Sequence, residues 1–202
     1  MTHHHHPKHV FNAAKAKRLM DSKWRMIEDP PGLVRQMGIK TGMHVADLGC
    51  GPGFFTQALL HAVGSQGSVV GVELQQPIID LFNEINATAD NLRIKQGDVV
   101  DTGLTESSLD AVFIAFTLHE VKVMDALAEI KRVVKPGGLL AVLDWGLHAS
   151  CPEREGKKAG PPEDHRLLLE DLRRHLVEAG LSEKEQGIRM GGCQYWISAL
   201  IA

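Results

Sequence analysis

Val45-Ala46-Asp47-Leu48-Gly49-Cys50-Gly51-Pro52-Gly53-Phe54-Phe55-Thr56 is the stretch that decides how this chain folds. A short apolar run ends in Asp-Leu-Gly, glycine recurs at alternate positions, and an amphipathic stretch begins. That order predicts a buried strand, a tight turn and a helix N-terminus. It brings backbone N–H groups and one carboxylate to the carboxyl end of a strand, where open α/β sheets bind ligands. A dinucleotide loop would read G-x-G-x-x-G, its third glycine allowing helix and strand to pack closely. Here the glycines are Gly49, Gly51 and Gly53, and position 54 is Phe. No Lys follows them, so a P-loop is excluded as well. Asp47, two residues ahead of the first glycine, suits a ligand with a cationic group better than a pyrophosphate. Alternating glycines are destabilising unless something must approach the backbone.

Composition bounds the rest. A chain of 202 residues with 44% hydrophobic residues fits one domain with a good core. A net charge of −3 gives no reason to expect nucleic acid as the main partner. No apolar run reaches the ~18 residues of a membrane span, and no signal-peptide core follows the charged start. Cys50, Cys151 and Cys193 lack metal-type spacing, so free thiols and a cytoplasmic location are expected, with no metal site. Residues 1–10 hold His3, His4, His5, His6 and His9 and are expected to be a disordered tail. Residues 11–40 read as a helical N-terminal cap. It is basic and helical from Phe11 to Met26, stopped by Asp29-Pro30-Pro31-Gly32, with a short helix beginning at Leu33. This segment is either a lid over the site or an extension with solvated charges.

From residue 41 to 202 strands and helices alternate, the signature of a mostly parallel sheet. Strands are predicted at Met43–Leu48, Ser68–Glu73, Leu92–Gln96, Leu109–Phe116 and Leu139–Leu143. Helices are predicted around Thr56–Val63, Pro77–Ala87, Val123–Val134 and Leu168–Ala179. Gly191-Gly192 separates two last strands, near Ser182–Met190 and Cys193–Ile201, which should form a hairpin.

Four signals occur in order. The glycine loop comes first, then Glu73 ending the second strand, Gly97-Asp98 ending the third, and Lys135-Pro136-Gly137-Gly138 before the fifth. Together they resemble the class I S-adenosylmethionine (SAM) dependent methyltransferases. Arg132–Gly138 is similar to the small-molecule enzymes related to the ubiquinone/menaquinone-biosynthesis C-methyltransferases. The resemblance implies a Rossmann-like, doubly wound α/β fold of three α/β/α layers. Its seven-stranded sheet would be mostly parallel with an antiparallel last strand. It also implies SAM as cofactor, S-adenosylhomocysteine (SAH) as product, and a monomer or homodimer. The N-terminal cap lacks the Tyr-Asp and Met-Asn run of the quinone enzymes, which counts against a quinone substrate and leaves the small-molecule class intact.

On that resemblance, Asp47 and the backbone of Gly49, Gly51 and Gly53 would hold the methionine part of SAM. Glu73, 24 residues past Gly49, matches the offset at which an acid accepts from ribose hydroxyls. Gly97, Asp98 and Val99 would meet the adenine, with Asp98 equally able to serve as a turn residue. Leu74 and Phe116 are neighbours of the adenosine and methionine parts. Methyl transfer needs the acceptor held in line, and a base only if a proton must leave. His119, in Phe116-Thr117-Leu118-His119-Glu120, is the first candidate base, and Asp144 at the end of the fifth strand the second. Neither Asn/Asp-Pro-Pro-Tyr nor a Pro-Cys pair is present, which disfavours DNA methylation. The expected function is methyl transfer to a small molecule. Alternatives are an RNA or protein methyltransferase using the basic N-terminus, or a non-catalytic SAM/SAH-binding protein.

Overall fold

The computed structural model describes residues 13–21, 26–86, 90–154 and 156–202. The His-rich tail, Phe11 and Trp24 lie outside these. Seven strands form the main sheet: β1 (His44–Leu48), β2 (Ser68–Glu73), β3 (Leu92–Gln96), β4 (Leu109–Ala115), β5 (Val134–Trp145), β8 (Ser182–Arg189) and β9 (Gln194–Leu200). Two-residue strands β6 (Glu153–Arg154) and β7 (Lys157–Lys158) make a separate small hairpin. The sheet order is β3-β2-β1-β4-β5-β9-β8, parallel except that β9 runs antiparallel to both neighbours. This is the expected fold, and its chain reversal between β1 and β4 is the switch point at which open α/β sheets take ligands.

Five α-helices cover the sheet: α1 (Pro30–Gln36), α2 (Phe54–Val63), α3 (Gln76–Asn86), α4 (Val123–Val133) and α5 (Leu169–Glu178). Alternation along the central strands divides the core in two. Ala46, Leu48, Val112, Ile114, Leu140 and Val142 pack with α4 and α5. Val45, Ala111, Phe113, Ala115, Ala141 and Leu143 pack with α1 and α2. The central strands are buried on both faces, which is why they read as continuous apolar runs.

Three expectations are corrected. Asp29-Pro30-Pro31-Gly32 starts α1 instead of only stopping a helix: Pro30 and Pro31 take the first turn, where no N–H is needed, and the Asp29 carboxylate accepts from Gly32 N at 2.9 Å. The helix expected up to Met26 is a 3₁₀ segment, Ala13–Met20, and Met26 at φ 59° cannot continue a right-handed helix. Cys151 and Cys193 are joined in a disulfide with Cα atoms 4.6 Å apart. The cause is long-range: Gly146 N donates to Cys193 O and Leu147 N to Gly192 O, which lays the loop after β5 against the start of β9. Cys50 is the free, buried cysteine. It fills the space over Gly71, where an added Cβ would lie 2.9 Å from its sulfur.

Candidate active site

The glycine loop leaves β1 and enters α2 with Gly49, Gly51 and Gly53 all at positive φ, a conformation that disfavours side chains. Space matters as much. A Cβ on Gly49 would lie 2.6 Å from the Thr117 side chain beyond β4, and one on Gly53 would strike Asn86. Around Gly51 the nearest atom is Leu19 Cδ1, at 3.8 Å. The loop N–H groups are already engaged within the protein. Gly49 and Cys50 donate to Val72 O, Gly53 donates to Cys50 O, and Gly51 donates to Glu73 Oε2 at 3.2 Å. Asp47 is buried and accepts from Thr56 Oγ1 at 2.6 Å. Asn86 closes the loop from α3 by donating to Pro52 O and Phe82 O.

Glu73 reaches over from the end of β2. Its second oxygen accepts from Gln75 N at 3.0 Å. Burial raises its pKa more than these backbone donors lower it. Leu74 stands beside it, 41% exposed. Gly97 N donates to Glu73 O, so the end of β3 is tied to the end of β2. Asp98 forms the turn that the sequence allows, its Oδ1 accepting from Val100 N, and Val99 is buried in the core. Behind that turn, Thr102 donates through both its N and its hydroxyl to Glu129 of α4, which Arg132 also grips. This clamp on the loop after β3 has no local sequence signal, because its partners are 27 residues apart.

The other half of the site lies past β4 and β5. Phe116 has φ 54°, a rare conformation for a bulky residue and one that strained sites use. Its ring lies 4.7 Å from that of Trp145. The turn Leu118–Glu120 then brings His119 Nδ1 within 2.7 Å of Asp144 Oδ1, while His119 N donates to Asp144 Oδ2. Asp144 is fully buried and also accepts from Trp145 N. On the far side of the ring, His119 Nε2 faces Glu120 Oε1 at 3.8 Å. Burial depresses the His119 pKa, but the charge and hydrogen bond of Asp144, aided by Glu120, leave it raised. Glu120 is pushed up to about 7 by burial, against the opposing pull of His119, with Asp144 and Glu73 adding to the rise. The two candidate catalytic residues, 25 apart in sequence, thus form one hydrogen-bonded pair.

Arg166 is the residue that sequence reading missed. It is buried, and donates to Gly146 O at 2.9 Å, Ala159 O at 2.7 Å and Pro161 O at 2.9 Å. Its guanidinium stands 5.6 Å over the Trp145 ring and 3.2 Å from Cys151 Sγ. It therefore ties Gly146, Ala159 and Pro161 together beside Trp145. An Arg in a polar loop carries no signal of that role. Phe54, at the start of α2, packs into the core.

Comparison with known proteins bears on the fold and on the sequence segment that carries these residues. Residues 46–142 match the family model described as a methyltransferase domain. A demethylmenaquinone methyltransferase of Staphylococcus aureus is 35% identical over 113 residues, 55% of this chain and 47% of the relative. The chain thus spans about half the length of the curated relatives it matches. A SAM-dependent methyltransferase from Aquifex aeolicus superposes with a TM-score of 0.84 at 27% identity, over 96% of this chain and all of that one. The methyltransferase in the complex with the Haloferax volcanii Trm112 activator shares the fold, with a TM-score of 0.74 at 19% identity over 94% and 93% of the two chains. The matched segment carries the glycine loop, Glu73, Asp98 and His119, and the sheet continues into the antiparallel β9; the chain has the fold of the SAM-dependent methyltransferases and is similar to them in sequence.

Proposed function

We propose that this protein transfers the methyl group of SAM to a small-molecule acceptor. The observation that carries the reading is a juxtaposition at the β1–β4 switch point. A glycine and carboxylate cradle on one side meets a buried imidazole–carboxylate pair on the other, across the Gly49–Thr117 contact. The donor set fits SAM. Asp47 supplies a carboxylate for the ammonium end, directly or through water. Glu73 supplies two oxygens for the ribose hydroxyls, exchanging its hold on Gly51 N for them. At Gly51, where an added Cβ would meet nothing nearer than 3.8 Å, the missing side chain leaves room for the ligand beside the backbone. Leu74 and the Asp98–Val99 turn would flank the adenine.

SAM supplies an electrophilic methyl group on a sulfonium. The protein's part is to align the acceptor and receive its proton, and alignment alone can supply several kcal/mol of the barrier. Phe116 and Trp145 give the acceptor side an aromatic wall, and Arg166 holds the loop behind it. The similarity to a demethylmenaquinone methyltransferase supports a small-molecule acceptor for this chain too. Calorimetric titration with SAM and SAH, followed by a turnover assay that measures SAH release, tests the proposal. Binding in the micromolar range with acceptor-dependent SAH release is expected. A well-folded protein that binds neither molecule would falsify it.

A further inference from the structure

We infer that Glu120, rather than His119, is the group that receives the acceptor's proton, and that the His119–Asp144 pair acts through it. This rests on the methyltransferase reading above. Exposure and connectivity make the case. The His119 side chain is 5% exposed and that of Asp144 0%, whereas Glu120 keeps 30% of its side chain open. Both ring nitrogens of His119 already look at carboxylates: Nδ1 at Asp144, Nε2 at Glu120. Glu120 stands on the Nε2 side of the ring and is the most exposed of the three groups.

The turn that carries Glu120 borders the cofactor cradle. Glu120 N donates to Thr117 O, and Thr117 is the residue in contact with Gly49. The groups facing the pair come from every neighbouring element. Glu73 comes from β2, Asp144 from β5, and Arg166 from the segment before α5, while the neutral Tyr195 phenol of β9 lies near Asp144. The charge of Glu73 bears on Glu120 and raises its value slightly. The ionisation pattern supports the same division. Two carboxylates hold His119 toward its doubly protonated form, which has no lone pair to accept a proton, while Glu120 titrates near neutrality, where a general base is most useful.

In the step, the acceptor's X–H bond breaks and its electron pair stays on X. X forms the new bond to the methyl carbon as the carbon–sulfur bond breaks, leaving neutral SAH. The proton goes to Glu120, converting carboxylate to carboxylic acid, and returns to solvent from its exposed edge. His119 is a positioning residue that draws the Glu120 value down toward neutrality; its test must read more than lost activity.

The experiment uses the full chain saturated with SAH. Imidazole proton–nitrogen NMR of His119 should show both ring N–H groups at pH 7, and Glu120→Gln should lower the His119 pKa. A singly protonated ring with a free Nε2 at pH 7 overturns the inference. Turnover is then measured with catechol, 2-mercaptoethanol or ethanolamine as acceptor, whichever the wild type methylates. Glu120→Gln should lower kcat about 100-fold with SAM affinity unchanged. His119→Gln should retain a pH-dependent rate whose acid limb moves upward, since His119 normally pulls the Glu120 value down. Near-normal turnover in Glu120→Gln, with an inactive His119→Gln that still binds SAH, also overturns it. Loss of SAM and SAH binding by the folded wild type would instead refute the methyltransferase reading.

Discussion

At the ends of β1, β2 and β3 the site is held mostly by backbone. Gly49 and Cys50 lean on Val72 O, Gly97 on Glu73 O, and the Glu73 carboxylate on the N–H groups of Gly51 and Gln75. At the ends of β4 and β5 it is held by side chains carrying charge: His119 on Asp144, with Glu120 beyond the ring, and Arg166 on three loop carbonyls. Backbone donors serve a ligand that never changes, because their positions follow from strand ends and glycine turns. Charged side chains can be exchanged one at a time, which suits a half-site that must match a particular acceptor. The comparison predicts that the two halves fail separately when mutated.

The largest effect belongs to the cradle. Asp47→Ala combined with Glu73→Ala removes two charge-assisted hydrogen-bonding groups at about 1.5–3 kcal/mol each, so SAM affinity should fall on the order of 100-fold or more. Calorimetry checks it, and unchanged SAM binding in the double variant would break the assignment of that half. Next comes the acceptor half. Asp144→Asn removes the charge behind His119 and should cost about 100-fold in turnover, while the dissociation constant for SAM stays within about threefold. A parallel loss of SAM binding would erase the distinction between the halves.

Arg166 tests the same boundary more gently. Arg166→Ala leaves the carbonyls of Gly146, Ala159 and Pro161 without their donor, in a buried setting where each lost partner costs about 1 kcal/mol or more. We expect a stability loss of about 2–3 kcal/mol in denaturant titrations. The acceptor KM should rise several-fold, because the 146–162 loop loosens, while the KM for SAM is little changed. A rise confined to the KM for SAM would place Arg166 in the wrong half.

The same contrast explains what could be read from the chain. The cradle was legible because its parts are local and ordered: a glycine pattern within five residues, then single acids at successive strand ends. The strands themselves were legible for the same reason, since buried parallel strands and a Gly191-Gly192 hairpin leave plain patterns, while the sheet plan came with the family resemblance. The state of the loop N–H groups was not legible, because the Val72 carbonyl that takes two of them is a backbone group with no sequence mark. His119 and Asp144 could be named singly, yet their union depends on the β4–β5 register, which places Ala115 beside Leu143 just before both. The disulfide, Arg166 and the Glu129–Thr102 clamp depend on contacts spanning 42, 20 and 27 residues, beyond the reach of any local pattern.

The smallest predicted effect is on stability and separates function from folding within the acceptor half. Glu120 in the folded protein titrates at about 7, above its ordinary value of 4.5. The native state therefore binds its proton more tightly than the unfolded chain does, and stability is lost as pH rises from about 4.5 to 7. Above that window the ionised carboxylate is a standing cost, because it is half-buried and faces Asp144 and Glu73. Glu120→Gln has no charge to desolvate, so it should be more stable than the wild type at pH 8 by about 1 kcal/mol, and equal to it at pH 4. Urea titrations at the two pH values measure the difference directly. A variant that is slower in methyl transfer but firmer at pH 8 would mark Glu120 as a residue kept for chemistry at the expense of stability. A variant destabilised at both pH values would mean that Glu120 serves the fold, and that the charged half of the site is as structural as the backbone half.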